Sequence, residues 1–203
     1  TGLTAAGASG QVLTSDGTNW TSAAAGGGVD GISSSANATA ITINSDEQVT
    51  LSSQPSFSAT ITTNQADVTG DTTQWQAEGA FWSNSGANLW EVGNCFNNGR
   101  FTAPVTGYYL LWWKFYVHGG LGLAHNQYRV DLHLQNGTIL IDKLSPYYMA
   151  NAQADGLFQS MWVTHMDATD WAFWKIAVSG SSKVIDIGYN GTGYSMVGGI
   201  LLG

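Results

Sequence analysis

The chain has 203 residues, 26 of them glycine, and only 10% are charged, against about 25% in an ordinary soluble domain. Its formal net charge of −8 sits in the first 98 residues, which carry Asp16, Asp30, Asp46, Glu47, Asp67, Asp71, Glu78 and Glu91 but no Lys or Arg. A half without a base has no footprint for phosphate backbones or anionic lipid, so neither a nucleic-acid partner nor membrane insertion is expected. The longest apolar run, Tyr108 to Val117, is too short to span a bilayer.

Residues 1–54 are mostly Gly, Ala, Ser, Thr and Asn, with Trp20 as the sole aromatic. Such a stretch cannot bury enough apolar surface by itself to offset chain entropy, and a flexible linker is one reading. Two phrases within it carry order signals. Gly10 to Trp20 reads as a strand, an Asp16-Gly17 turn and a second strand. Ala38 to Asn44 alternates small or polar with apolar residues, Ser45 to Gln48 turns, and Val49 to Leu51 resumes. Single-row apolar faces are too narrow for one chain, but they suit three chains wound about one axis. Residues 1–54 are therefore expected to be a Gly/Ser/Thr-rich β shaft. The chain begins at Thr1 without Met or a signal-peptide pattern, so a preceding segment of a longer protein is expected.

From Pro55 onward the composition changes: eight of the nine Trp, all eight Tyr and all seven Phe lie in 55–203, enough for one domain with a sizeable core. The expected strands are Phe57 to Thr62, Tyr108 to Val117, Arg129 to Gln135, Thr138 to Leu144, Leu157 to Met166, Trp171 to Val178, Val184 to Tyr189 and Tyr194 to Leu202. Asn136-Gly137 signals a type I′ hairpin turn. No segment keeps a helical apolar period for three turns, so the fold class is all-β, a β-sandwich. Cys95, the lone cysteine, has no internal disulfide partner and cannot build a zinc cage; it reads as a small buried hydrophobe.

Assembly is written in Tyr108 to Val117, which is large and apolar on both faces: Tyr108, Tyr109, Trp112, Trp113 and Phe115 leave no polar side. One face belongs to the core and the other needs a second burial surface, most simply a neighbouring subunit. Trp171, Phe173 and Trp174 repeat the feature in a later strand. The pattern does not say which of Trp112 and Trp113 faces the neighbour.

Pro55 to Ala59, the phrase Phe101-Thr102-Ala103-Pro104-Val105-Thr106-Gly107-Tyr108, Thr169-Asp170-Trp171, and the closing Tyr194 to Leu202 together resemble the globular heads of complement subcomponent q, within the tumour-necrosis-factor superfamily of jelly rolls. Thr169 departs from the Gly usual at its position, and Met196 and Gly199 replace aromatics. Ala8 to Gly17 and Ile32 to Ile43 resemble the repetitive shaft phrases of bacteriophage fibres and adhesins. The joint resemblance implies a homotrimeric virion fibre, with a shaft over 1–54, a jelly-roll knob over 55–203, contacts to other virion proteins through the preceding segment, and a host receptor at the tip. It also implies that the loops His118 to Gln127, Ser145 to Gly156 and Ser179 to Gly193 point to the apex. They contain His118, His125, Asn126, Tyr147, Tyr148, Asn151, Gln153, Asp155, Tyr189 and Asn190, rings and amides of the kind that contact sugars or proteins; ordinary solvated loop residues are the plainer reading of each.

No catalytic signature is present: there is no Gly-x-Ser-x-Gly elbow and no His-Glu-x-x-His helix. His165, Asp167 and Asp170 read as residues of a tight turn rather than a metal or acid–base cluster. No cofactor and no metal are expected. The leading expectation is a non-enzymatic adhesin; a purely structural virion fibre and a surface-polysaccharide depolymerase are the competing ones.

Overall fold

A computed structural model of the chain describes residues 11–15, 18, 20–24, 42–43, 45–46, 49–50, 53–70, 73–85, 89–121, 125–144, 154–180, 182, 184–188 and 194–203. The chain divides into two compact units, Thr1–Ala40 and Ile41–Gly203. In the first, β1 (Gln11–Ser15) and β2 (Trp20–Ala24) pair antiparallel from Ser15↔Trp20 to Gln11↔Ala24. This is the hairpin expected there; its Asp16-Gly17 turn, and Ile32 to Ile41 of the second shaft phrase, lie outside the described residues.

The second unit opens with a short pair, β3 (Thr42–Ile43) and β4 (Val49–Thr50). Then follow β5 (Ser56–Ile61), β6 (Gln65–Thr69), β7 (Trp75–Gln76), β8 (Trp82–Ser83), β9 (Trp90–Val92), β10 (Phe96–Asn97), β11 (Arg100–Thr102), β12 (Gly107–Leu121), β13 (Gln127–Leu134), β14 (Ile139–Leu144), β15 (Ala154–Met166), β16 (Trp171–Ser179), β17 (Ile185–Ile187) and β18 (Met196–Leu201). No helix occurs among the described residues. Two antiparallel sheets result. The first runs β10-β11-β16-β13-β14, with β7 also on β16. In the second, β15 lies on one side of β12; β17 and β18 share the other, β5 follows β18, and β8 and β9 follow β5. The order is consistent with a jelly roll.

Period-two alternation explains why these segments pair as they do. In β12 the odd-numbered Tyr109, Leu111, Trp113, Phe115 and Val117 are all buried, and the second sheet adds Phe57, Ala59 and Ile61 from β5. Opposite them stand Tyr128, Val130 and Leu132 of β13 and Ala172, Trp174, Ile176 and Val178 of β16. Each such large side chain contributes about 1.5–3 kcal/mol through burial. Ring packing ties the sheets together: Phe57 stacks between Phe96 (4.7 Å) and Phe101 (5.2 Å), and Tyr109 meets Phe101 edge-on at 5.1 Å. Tyr109 keeps its hydroxyl satisfied by donating to the Val105 carbonyl at 2.7 Å. Cys95 is 2% exposed, and burial, then the neighbouring Glu91, pushes its thiol up to about 12. It is the small buried core residue expected.

One turn differs from the sequence reading. Asn136-Gly137 does not form a type I′ turn, which needs positive φ at two successive residues; only Gly137 has it, at 83°. Gly137 N–H donates to Leu134 O at 3.0 Å and Leu134 N–H to Thr138 O at 2.9 Å, closing a three-residue loop with glycine in the bulge position. Asn136 Oδ1 accepts from Thr138 N–H at 2.9 Å, and so serves the turn without entering the left-handed region. The type I′ geometry occurs instead between β10 and β11, where Asn98 (φ 49°) and Gly99 (φ 89°) join the pair Asn97↔Arg100.

Candidate functional site

The outward face of β12 presents Tyr108, Leu110, Trp112, Lys114 and Tyr116, alternating with the core residues just described. Trp113 is 1% exposed and belongs to the chain's own core; Trp112 is the tryptophan on the outward face. The register carries that face across the sheet. On β15, Tyr108 stands opposite His165, Leu110 opposite Val163, Trp112 opposite Met161 and Tyr116 opposite Leu157. On β18, Leu110 stands opposite Ile200 and Trp112 opposite Gly198, which in turn faces Ser58 of β5; Ser58 faces Trp90 of β9.

The result is an unpartnered apolar face. Met161 is 63% exposed, Val163 57%, Tyr108 56% and Leu157 52%, joined by Ile200 and Leu202. Scattered exposed hydrophobics are ordinary, but a contiguous set on adjacent strands marks an interaction surface. Among the described side chains, the base on the outward side of β12 is Lys114, between Trp112 and Tyr116.

β16 behaves differently from expectation. Its second face, with Trp171 and Phe173, needs no neighbouring subunit, because the chain covers it itself. The Arg100 guanidinium lies 4.9 Å from the Trp171 ring centre and 5.5 Å from that of Phe173. The His133 ring stacks on Phe173 at 5.3 Å, and Lys175 Nζ approaches to 5.6 Å. Phe173 is only 6% exposed as a result. Trp174, on the opposite side of the strand, is in the core.

Beside this covered face lies a polar cluster. Asp131 is 2% exposed; its Oδ2 accepts from Gln74 Nε2 at 2.8 Å and pairs with Arg129 Nη2 at 2.9 Å, with His133 Nε2 4.0 Å away. Burial raises the Asp131 carboxyl above its ordinary range against the pull of Arg129, and burial followed by Lys175 lowers the His133 imidazole.

The expected apex residues distribute unevenly. His118 lies within β12, opposite Asp186, rather than in a connecting loop, because the strand continues to Leu121. His125 is buried at 1% exposure, whereas Asn126 is exposed and donates its backbone N–H to Ser179 O at 2.8 Å. Asp155 falls inside β15. Tyr147, Tyr148, Asn151, Gln153, Tyr189 and Asn190 lie outside the described residues. The Asp167–Asp170 segment is a turn: Asp170 N–H donates to Asp167 O, Asp170 Oδ2 accepts from Asp167 N–H, each at 3.0 Å, and Thr169 N–H reaches Ala103 O at 2.8 Å. Among the described residues no group of three or more His, Cys, Asp or Glu converges.

The sequence reading missed the β15 contribution to the apolar face. Its signal was available: Leu157, Gln159, Met161, Val163 and His165 alternate with period two, and every one of them is exposed.

No protein-family model matches the chain, and no curated protein matches it. Among solved structures, the globular domain of the zebrafish complement 1qA protein is similar, with a TM-score of 0.45 and 14% identity over 74% of this chain and 98% of that one. A likeness of that degree concerns the fold and carries no argument about activity or assembly.

Proposed function

We propose that the chain is a non-enzymatic, homotrimeric fibre protein of a virion, whose head over 55–203 binds a receptor on the host surface and whose residues 1–54 form a thin stem. The observation that supports it most is the outward apolar face of β12, β15 and β18, where Tyr108, Met161 and Val163 stand more than half exposed. Removing that face from water stabilises an assembly by about 25 cal/mol for each Å² covered. Three copies, rather than two, follow from the stem: single-row apolar faces such as Ile41, Ile43, Val49 and Leu51 close a core most readily about a threefold axis. A trimer places three identical heads at one tip, so weak single contacts add up when several engage one cell.

The test is binding of the intact chain to cells together with its mass in solution. A species of three times 21.5 kDa that adheres to cells supports the whole reading. A trimer that adheres to no cell points to a structural virion fibre, and release of reducing sugar from cell envelopes points to a depolymerase.

A further inference from the structure

On the side away from β14 and β15 the sandwich stays open. There β8 and β9 of the second sheet face β10 of the first, and a cleft of about 630 Å³ lies between them, within the ~300–1,000 Å³ range of small-ligand sites. Its floor is aromatic and mostly buried: Trp82, 8% exposed, and Phe96, 5% exposed, meet edge-on at 5.9 Å. The Trp82 indole is held in place because its N–H donates to Ala77 O at 2.8 Å. Gly99 makes this possible, since a β-carbon there would fall 2.1 Å from Ala77 O and 2.6 Å from Trp82 Nε1.

The rim is made of amides. Asn84, Asn94, Asn97 and Asn98 line the cleft together with Glu91 and Thr102. Glu91 is fixed at both oxygens: Oε1 accepts from Phe96 N–H at 2.7 Å, and Oε2 accepts from the Asn84 amide. Asn94 and Asn98 hold left-handed backbone conformations, at φ 49° each, and Asn98 O accepts from Gly79 N–H at 2.8 Å. The rim is therefore set before a ligand arrives, which lowers the ordering cost of binding. A second groove of about 460 Å³ shares Asn97, Asn98 and Thr102 and extends the site toward Arg100. That guanidinium is engaged with Glu78, at 2.5 Å from Nε to Oε1.

This chemistry selects a ligand class. An anion would meet the Glu91 carboxylate and a guanidinium already paired. An apolar ligand would strip water from four amides and return nothing to them. A neutral, polyhydroxylated ring donates to the carboxylate and both donates to and accepts from the amides, while its C–H groups meet the narrow apolar floor. We propose that the cleft between β8–β9 and β10 binds a neutral saccharide of the host surface. The proposal rests on the adhesin reading for its cellular meaning and moves the contact from the end loops to this polar edge.

The experiment uses the full chain on immobilised neutral oligosaccharides ending in glucose, galactose, mannose or N-acetylglucosamine, with sialylated and sulfated ones alongside. Wild type should bind at least one neutral probe in preference to the charged ones. Asn97→Ala and Glu91→Gln should each weaken that binding at least tenfold while the sedimentation profile stays as in wild type. No neutral probe bound, a preference for charged probes, or retention of binding in both variants overturns the proposal. So does loss on Tyr148→Ala or Asn190→Ala but not on the cleft variants. Cell adhesion that survives both cleft variants leaves the adhesin reading standing without this site; saccharide binding through the cleft without adhesion to any cell does the reverse.

Discussion

Trp112 lies flat across Gly198: a β-carbon built on that glycine would come within 2.2 Å of the indole Cε2 and Cζ2. The two residues are cross-strand partners on the outward face of the second sheet, so the missing side chain lets the ring lie down and form a flat platform beside Met161. The three nearest atoms to that β-carbon all belong to the indole, so an added methyl group would lift the ring rather than break the strand. Gly198→Ala is expected to leave the unfolding midpoint of the separated subunit nearly unchanged and to weaken self-association at least tenfold. Sedimentation velocity across a dilution series measures the second quantity.

Adjacent tryptophans should fail in different ways. Trp113 is surrounded by the core, stacked on Phe115 at 5.6 Å and near Trp162 at 6.3 Å, so Trp113→Ala should cost about 3–5 kcal/mol of subunit stability. Trp112→Ala should cost the subunit far less and instead lower the oligomer population. Urea unfolding at a fixed low protein concentration, compared with sedimentation, separates the two effects.

Thr169 sits at φ 76° in the turn between β15 and β16, a conformation in which a β-branched side chain is strained. Replacing it with glycine relieves roughly 1–2 kcal/mol of that strain and returns about 0.5–1 kcal/mol through the greater freedom of the unfolded chain. Thr169→Gly is expected to stabilise the head by about 1 kcal/mol, read as a higher thermal midpoint. The turn hydrogen bonds from Thr169 N–H to Ala103 O and from Asp167 N–H to Asp170 Oδ2 involve no Thr169 side-chain atom and should persist.

His133 gives the pH dependence its sign. Burial, then Lys175, holds its folded pKa below the ordinary 6.5. On acidification the unfolded chain takes up a proton first, so this residue's contribution is intact above about 6.5 and is lost as pH falls through the folded value. Asp131 acts oppositely: burial raises its carboxyl above 3.8, so its contribution is intact below that value and is lost as pH rises through the raised one. The histidine's loss begins as pH falls from the ordinary 6.5 toward its lowered folded value. The urea midpoint should drop over this interval in wild type and drop less in His133→Gln.

Strand positions were legible because period-two alternation is local: Tyr108 to Val117 and Arg129 to Gln135 declare themselves residue by residue. Their two faces were not equally legible. A shift of one residue exchanges Trp112 with Trp113, and only pairing with Met161 and Gly198 decides which tryptophan turns outward. β7 to β11 escaped the reading because strands of two or three polar-flanked residues, such as Trp75-Gln76 and Phe96-Asn97, have no period to detect. The cover over Phe173 was hidden for another reason: Arg100 and His133 reach it from strands far away in sequence. The cleft is tertiary in the same sense, since Trp82, Glu91 and Thr102 converge from separate turns. Its one local signal was Asn98-Gly99, a hairpin dipeptide as strong as the Asn136-Gly137 pair.

Self-association through the β12–β15–β18 face is the central claim, and sedimentation equilibrium of the intact chain tests it most directly. A single species near 64.5 kDa, three times 21.5 kDa, which shifts toward monomer in Trp112→Ala, is the predicted result. A wild-type chain that remains at 21.5 kDa across the concentration range, with Tyr108, Met161 and Val163 open to solvent, would contradict it.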